Sequence, residues 1–200
     1  MNVDNVSTLP PNGVDKNEIE EATKEFAKRI GDIQERFYAE NKNSMLIVLQ
    51  GMDTSGKSST VRDVFKYVNP MGIHVKSFKK PTDEEFDHDF LWRVHKHAPG
   101  KGMISIFDRS HYEDILIQRV HNWIDEDRVK QRMKHINQFE DLLAEENNTT
   151  ILKFYLKISS EAQLKDLKER ETDPTKRWKF NQADYDEREH WDKFLKHWKS

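Results

Sequence analysis

Ile19, Ala22, Phe26, Ile30, Ile33 and Phe37 recur at steps of three and four, which predicts an amphipathic helix reaching about Glu40. Ahead of it, residues 1–14, rich in Asn and Ser with Pro10, Pro11 and Gly13, offer no face to bury and predict a mobile tail. The pattern then changes. Met45 to Gln50 is a short apolar run closed by Gly51, as expected of a strand covered on both faces in a parallel sheet. Ile73–Phe78, Met103–Phe107 and Ile151–Ile158 are three further strand candidates. Helical patterns separate them at Ser58–Tyr67, Asp83–His97, Tyr112–Val120 and Asp125–Glu146, the last with Val129, Met133, Ile136, Phe139 and Leu143 on one face. A helix starts near Ser160, where Ser160-x-x-Gln163 resembles a capping box, and ends near Glu171 before Asp173-Pro174. Another, from about Asn181, carries Tyr185, Trp191, Phe194, Leu195 and Trp198 to the end of the chain. Strand alternating with helix predicts βαβ units and a three-layer α/β/α domain.

At 200 residues the chain is expected to form one domain, over 15–200. Apolar residues make up 35% and charged residues 34%, so the core is lean and the surface charged. A net charge of −3 predicts neither nucleic acid nor a membrane as partner, and any anion site must be made locally. Without cysteine there is no disulfide framework, thiolate metal site or cysteine nucleophile. No apolar run approaches a membrane span, and the N-terminus lacks a basic stretch before an apolar one, so a cytoplasmic location is expected.

The chemistry begins after the first strand. Gly51-Met-Asp-Thr-Ser-Gly56-Lys57-Ser58 matches G-x-x-x-x-G-K-[ST], a loop whose backbone N–H groups cradle phosphate at a helix N-terminus. Lys57 would reach the outer phosphates and Ser58 would place its hydroxyl on Mg²⁺; Arg62, on the following helix, is a further phosphate-binding candidate. Asp53 lies inside the loop, where a carboxylate repels phosphate unless it holds metal or accepts a proton from the attacking oxygen. Asp108 closes the Met103–Phe107 strand, at the sheet edge where such folds bind ligands, with Arg109 beside it and Arg119 further on as possible phosphoryl clamps. Arg170, Lys176, Arg177 and Lys179 surround Trp178 between two helices, as a lid over about 170–181 would. The histidines, His88, His95, His97 and His111 among them, show no tight zinc spacing. No Asn-Lys-x-Asp guanine signature occurs, which argues against a nucleotide switch.

Taken together, GMDTSGKSSTVRDVFKYVNPMG, PTDEEFDHDFLWRVHKHAPGKG, FDRSHYEDILIQRV and ERETDPTKRWKF closely resemble the polyphosphate kinase 2 family. That resemblance implies a P-loop kinase fold and Mg²⁺-dependent transfer of the terminal phosphate of inorganic polyphosphate to a nucleoside mono- or diphosphate. It implies catalytic roles for Asp53, Lys57, Asp108 and Arg109, with the two aspartates on the metal. Gly51, Gly56, Lys57, Ser58 and the lid cations would bind phosphate, and Arg109, Tyr112, Glu113 and Arg119 the nucleotide. His111-Tyr112-Glu113-Asp114 resembles members accepting both AMP and ADP. Ser58-Ser59 stands where many members have Asp-Gly or Gly-Gly, which leaves the metal ligand set open. Family members continue with another strand and a terminal helix, so this chain is expected to be C-terminally truncated, and a homo-oligomer is expected. On the motifs alone, an ATP-dependent nucleotide or small-molecule kinase is the alternative.

Overall fold

The computed structural model describes residues 6–198, the side chain of Trp198 excepted. Residues 1–5 of the expected tail and the Trp198 position on the last apolar stripe therefore lie outside the described residues. One parallel sheet runs in the order β2 (Ile73–Ser77), β3 (Ile104–Asp108), β1 (Ser44–Gln50), β4 (Thr149–Tyr155). The central strands are apolar on both sides because both sides are covered. Leu46, Val48 and Phe107 pack with Phe78, Val94, Phe139 and Leu143, under α4 (Trp92–His95) and α6 (Glu126–Asn147). Ile47, Leu49, Ile104 and Ile106 pack with Phe37, Val61 and Phe65, under α1 (Lys16–Glu40) and α2 (Lys57–Val64). The expected three-layer fold is thus present.

Several boundaries differ from expectation. The expected Asp83–His97 helix is two short ones, α3 (Asp83–Phe86) and α4, because Asp89 Oδ1 accepts from the Leu91 and Trp92 N–H groups and starts a new helix there. The cap of α7 (Ser160–Thr172) is Ser159, whose side chain accepts from Ala162 N, and Gln163 turns away from it into the core. The C-terminal helix divides into α8 (Gln182–Arg188) and α9 (Trp191–Trp198), separated by tight turns from Glu189 N to Asp186 O and from His190 N to Glu187 O.

The larger correction concerns α1. Its expected apolar stripe does not lie wholly on the core: Ile19, Phe26 and Ile33 are 53%, 59% and 57% exposed. The buried edge is Ala27, Gly31 and Gln34, with Ile30 and Phe37 partly covered. The physical reason is close approach. A Cβ on Gly31 would sit 2.5 Å from Tyr67 O, and Gln34 Oε1 accepts from Asn69 N at 2.9 Å, so small side chains and one hydrogen bond set how the helix lies.

A buried polar knot joins the far layer to the sheet. Glu140 of α6 accepts from His111 Nε2 (3.2 Å), Tyr112 Oη (2.9 Å) and Lys153 Nζ of β4 (2.5 Å). Burial alone would raise its pKa, but these donors hold it at about 2. Because that value lies below the ordinary carboxylate range, the stabilisation is complete above about pH 4.3 and is lost as pH falls toward 2. It amounts to at most roughly 3 kcal/mol, since Lys153 is 47% exposed and its share is screened. Denaturant titrations of the wild type and Glu140→Gln should show a stability gap at pH 7 that narrows as pH falls toward 2; a gap independent of pH would assign the loss to packing instead.

Candidate active site

The loop from Gly51 to Ser58 crosses the C-terminal edge of the sheet between β1 and α2. Position 51 requires glycine, because a Cβ there would lie 2.5 Å from Leu156 O and 2.6 Å from Ser55 Oγ. Lys57 is buried, and its ammonium donates to Gly51 O (2.7 Å), Met52 O (2.9 Å) and Ser55 Oγ (3.4 Å). Burial, then the charge of Arg109, lowers its pKa from the ordinary lysine value, while Asp53, Glu113 and Asp108 pull the other way.

β3 delivers the second half of the site. Leu49 lies opposite Asp108, and Arg109 N donates to Leu49 O at 3.1 Å. Arg109 itself is left-handed, φ 64, which turns its guanidinium back over the loop onto the Asp53 carboxylate. Ser58 Oγ donates to Asp108 Oδ2 at 2.7 Å, so a hydroxyl and a carboxylate meet beside the first turn of α2. Those are the hard oxygen donors that Mg²⁺ accepts beside phosphate. Asp53 could join them only by leaving Arg109.

Glu113 opens α5 (Glu113–Val120) and accepts from the Gln50 amide at 2.9 Å, while the Gln50 carbonyl accepts from Ser110 Oγ (2.7 Å) and N (3.2 Å). Burial raises the Glu113 pKa, and Arg109 and Lys57 oppose the shift. For Arg109 burial acts against the charged form, yet Asp53, Glu113, Asp184 and Asp108 together leave its pKa raised.

The lid meets this centre through Arg170, whose Nη1 donates to Asp184 Oδ2 of α8 at 3.1 Å. Burial, then Asp53, raises the Asp184 pKa, and Arg170 and Arg109 oppose it. Beyond Arg170 the lid is open: Lys176 pairs with Glu169, Arg177 and Lys179 are exposed, and Trp178 is 78% exposed with Lys179 Nζ 5.0 Å from its ring centroid. Behind the lid, Phe194 of α9 packs on Met52 of the loop and on Leu116 and Val120.

Gly51, Asp53, Gly56, Lys57, Ser58, Asp108, Arg109, Glu113 and Arg170 are therefore gathered at one edge. Arg62 is not; it pairs with Asp63 on an exposed face. Arg119 is held by Glu126 at 2.7 Å, and Tyr112 belongs to the Glu140 knot. Sequence reasoning missed Gln50, Gln163 and Asp184. Gln50 carried a signal, a polar end on an apolar strand. Gln163 Nε2 donates to Asp53 O at 3.3 Å, and it and Asp184 arrive through helix packing that no local pattern announces.

An anion-binding loop after β1 and a carboxylate-arginine pair after β3, at the point where a parallel sheet reverses its strand order, define a protein of the P-loop kinase class. The sequence model of the family Polyphosphate kinase 2 (PPK2) matches residues 13–199, and the chain belongs to that family. It is 47% identical over 174 residues to the AMP/ADP-polyphosphate phosphotransferase of Meiothermus ruber, covering 87% of this chain and 65% of the relative. The ADP-polyphosphate phosphotransferase of Rhodopseudomonas palustris is 38% identical over 180 residues, covering 84% and 62%. The chain thus spans a little under two thirds of these relatives. The crystal structure of polyphosphate kinase 2 from Arthrobacter aurescens TC1 superposes with a TM-score of 0.93 at 38% identity, covering 100% of this chain and 72% of that one. Among the described residues no helix is long and apolar enough to cross a membrane.

The left-handed Arg109 backbone has a measurable cost. Glycine tolerates that conformation and alanine does not, so Arg109→Gly is expected to be more stable than Arg109→Ala by about 1 kcal/mol. Thermal melting of the two variants checks it, and a more stable alanine variant would contradict the strained turn.

Proposed function

We propose that this chain transfers the terminal phosphate of inorganic polyphosphate to a nucleoside mono- or diphosphate, AMP and ADP being the expected acceptors, with Mg²⁺. The observation that carries it is a phosphate loop with Asp53 and Asp108 at one sheet edge, flanked by a basic segment that Arg170 joins to Asp184 and whose Arg177 and Lys179 are exposed, as suits a long polyanionic donor. The names of the two relatives support the same donor and acceptors. The proposal includes a cytoplasmic location, where acceptors of this kind would be met. The exposed Ile19, Phe26 and Ile33 on one flank of α1 support a homo-oligomer in which a second copy would cover them.

In this mechanism a terminal phosphate oxygen of the nucleotide attacks the end phosphorus of polyphosphate, forming one P–O bond and breaking another, so the leaving chain is one phosphate shorter. Lys57 exchanges the Gly51 and Met52 carbonyls for phosphate oxygens, and Arg109 turns from Asp53 to the transferring group. Ser58, Asp108 and the released Asp53 would hold Mg²⁺. When bound, that ion supplies charge neutralisation and alignment of the phosphates. Arg170 and the lid cations close over the chain and exclude water. Glu113, Arg119 and Tyr112 belong to the nucleotide side in this proposal, with Arg119 freed from Glu126.

Asp53→Asn should retain the wild-type circular dichroism spectrum and lose roughly 10²-fold or more in turnover with polyphosphate as donor. Turnover close to wild type would leave Asp53 as a loop residue.

The donor is testable through salt. A polyphosphate chain condenses counterions, and their release makes its binding fall steeply with ionic strength, whereas ADP lacks that reservoir. KM for polyphosphate should therefore rise with salt much more than KM for ADP, and Lys176→Ala/Arg177→Ala should flatten the slope by about one unit per lost phosphate contact. Equal slopes for both substrates, or turnover with ATP as sole donor and none with polyphosphate, would favour an ATP-dependent kinase.

A further inference from the structure

Away from the phosphate loop, a trough runs between α6 and the α3–α4 segment. Its two hollows, of about 430 Å³ and about 360 Å³, share Asp89 and Leu91. Lys96, Arg128, Arg132, His88, His95 and His135 line it, and none of them belongs to the site described above. Asp89 is the one acid in the lining, and its Oδ1 is already committed to the N–H groups of Leu91 and Trp92.

The trough cations are held differently from those in the surface ion pairs, in the manner of Arg29, Lys66, Lys76 and Lys179, which also lie against aromatic rings, but here they converge on one groove. Lys24, Lys28, Arg62 and Lys130 are each matched to a neighbouring carboxylate. In the trough, aromatic faces do the holding instead. Lys96 Nζ sits 3.0 Å from the Trp92 ring centroid, His88 stacks on the same indole at 4.0 Å, and Arg132 lies 4.9 Å over Phe90 while its Nη1 donates to Asp114 O. Arg128 reaches only Gln131 Oε1, at 3.4 Å. Among the described residues none of these three cations forms a salt bridge, so each keeps its charge available to an anion. On a chain of net charge −3 such a concentration is local, and it is spread along an elongated groove rather than focused on one point. That arrangement suits a string of phosphates better than a single one. The Arg132 bond to Asp114 O also brings the trough to the first turn of α5, next to Glu113.

We propose that this trough is a second binding track for a linear phosphate chain, holding a stretch of polyphosphate remote from its reacting end. The proposal rests on polyphosphate being the donor, but its test reads binding and needs no turnover. Lys96→Ala/Arg128→Ala removes two exposed side chains outside the catalytic centre. Binding of long-chain polyphosphate and of tripolyphosphate is measured by calorimetry across a salt series for wild type, this variant and the lid variant Lys176→Ala/Arg177→Ala. The trough variant is expected to bind the long chain about tenfold more weakly, with a salt slope lower by about two, and tripolyphosphate as wild type does. Unchanged affinity for the long chain, an equal loss for tripolyphosphate, or tighter binding of single-stranded RNA than of polyphosphate at the trough would overturn it. If neither polyphosphate binds the wild type, the donor assignment falls as well; if only the lid variant loses affinity, the trough falls alone.

Discussion

The pairing of β1 with β3 in the middle of the sheet is the constraint on which the rest depends. Leu49 stands opposite Asp108, and its carbonyl takes the Arg109 N–H. Side chains alternate along a strand, so a slip of one residue would turn Asp108 to the other face and part both cross-loop contacts, Ser58 with Asp108 and Asp53 with Arg109. Leu46 to Leu49 and Ile104 to Phe107 hold the register because apolar side chains bury on both faces, while the edge strands β2 and β4 leave Val75, Leu152 and Phe154 exposed without consequence for the site.

Charge balance is the second constraint at that edge. Asp53, Asp108, Glu113 and Asp184 share one place with Lys57, Arg109 and Arg170, and burial of any one alone would be costly. The carboxylates outweigh burial only at Arg109, whose pKa stays raised; at Lys57, Glu113 and Asp184 burial prevails over the opposite charges. On the proposed function, Lys57, Arg109 and Arg170 would face the phosphates, and Asp53 and Asp108 would hold the divalent cation.

The 170–181 segment, the expected lid, is anchored at both ends and open between them. Arg170 with Asp184 fastens the front, and Phe194 against Met52 ties the returning helix to the phosphate loop itself. Between these contacts residues 174–183 are exposed, and there Trp178 has a cation over its ring instead of a core around it.

Much of this was determined by the sequence alone. Apolar runs predicted four buried or half-buried strands, glycine and lysine spacing predicted the phosphate loop, and Asp108 with Arg109 at a strand end predicted the second half of the site. These signals are local: periodicity, a loop that only glycine permits, a charged residue where an apolar run stops. Tertiary structure decided what no local pattern carries. It seated α1 on Gly31 and Gln34 and turned Ile19, Phe26 and Ile33 outward, because close approach and one hydrogen bond outweighed the wider stripe. It broke the 83–97 helix at Asp89, drew Arg119 to Glu126 and Arg62 to Asp63, and brought Gln163 and Asp184 to Asp53 and Arg109. Gln163 and Asp184 reach Asp53 from more than a hundred positions away and leave no periodicity in the chain, while Asp89, Arg119 and Arg62 find partners within seven residues through polar pairings that a hydrophobic pattern does not encode.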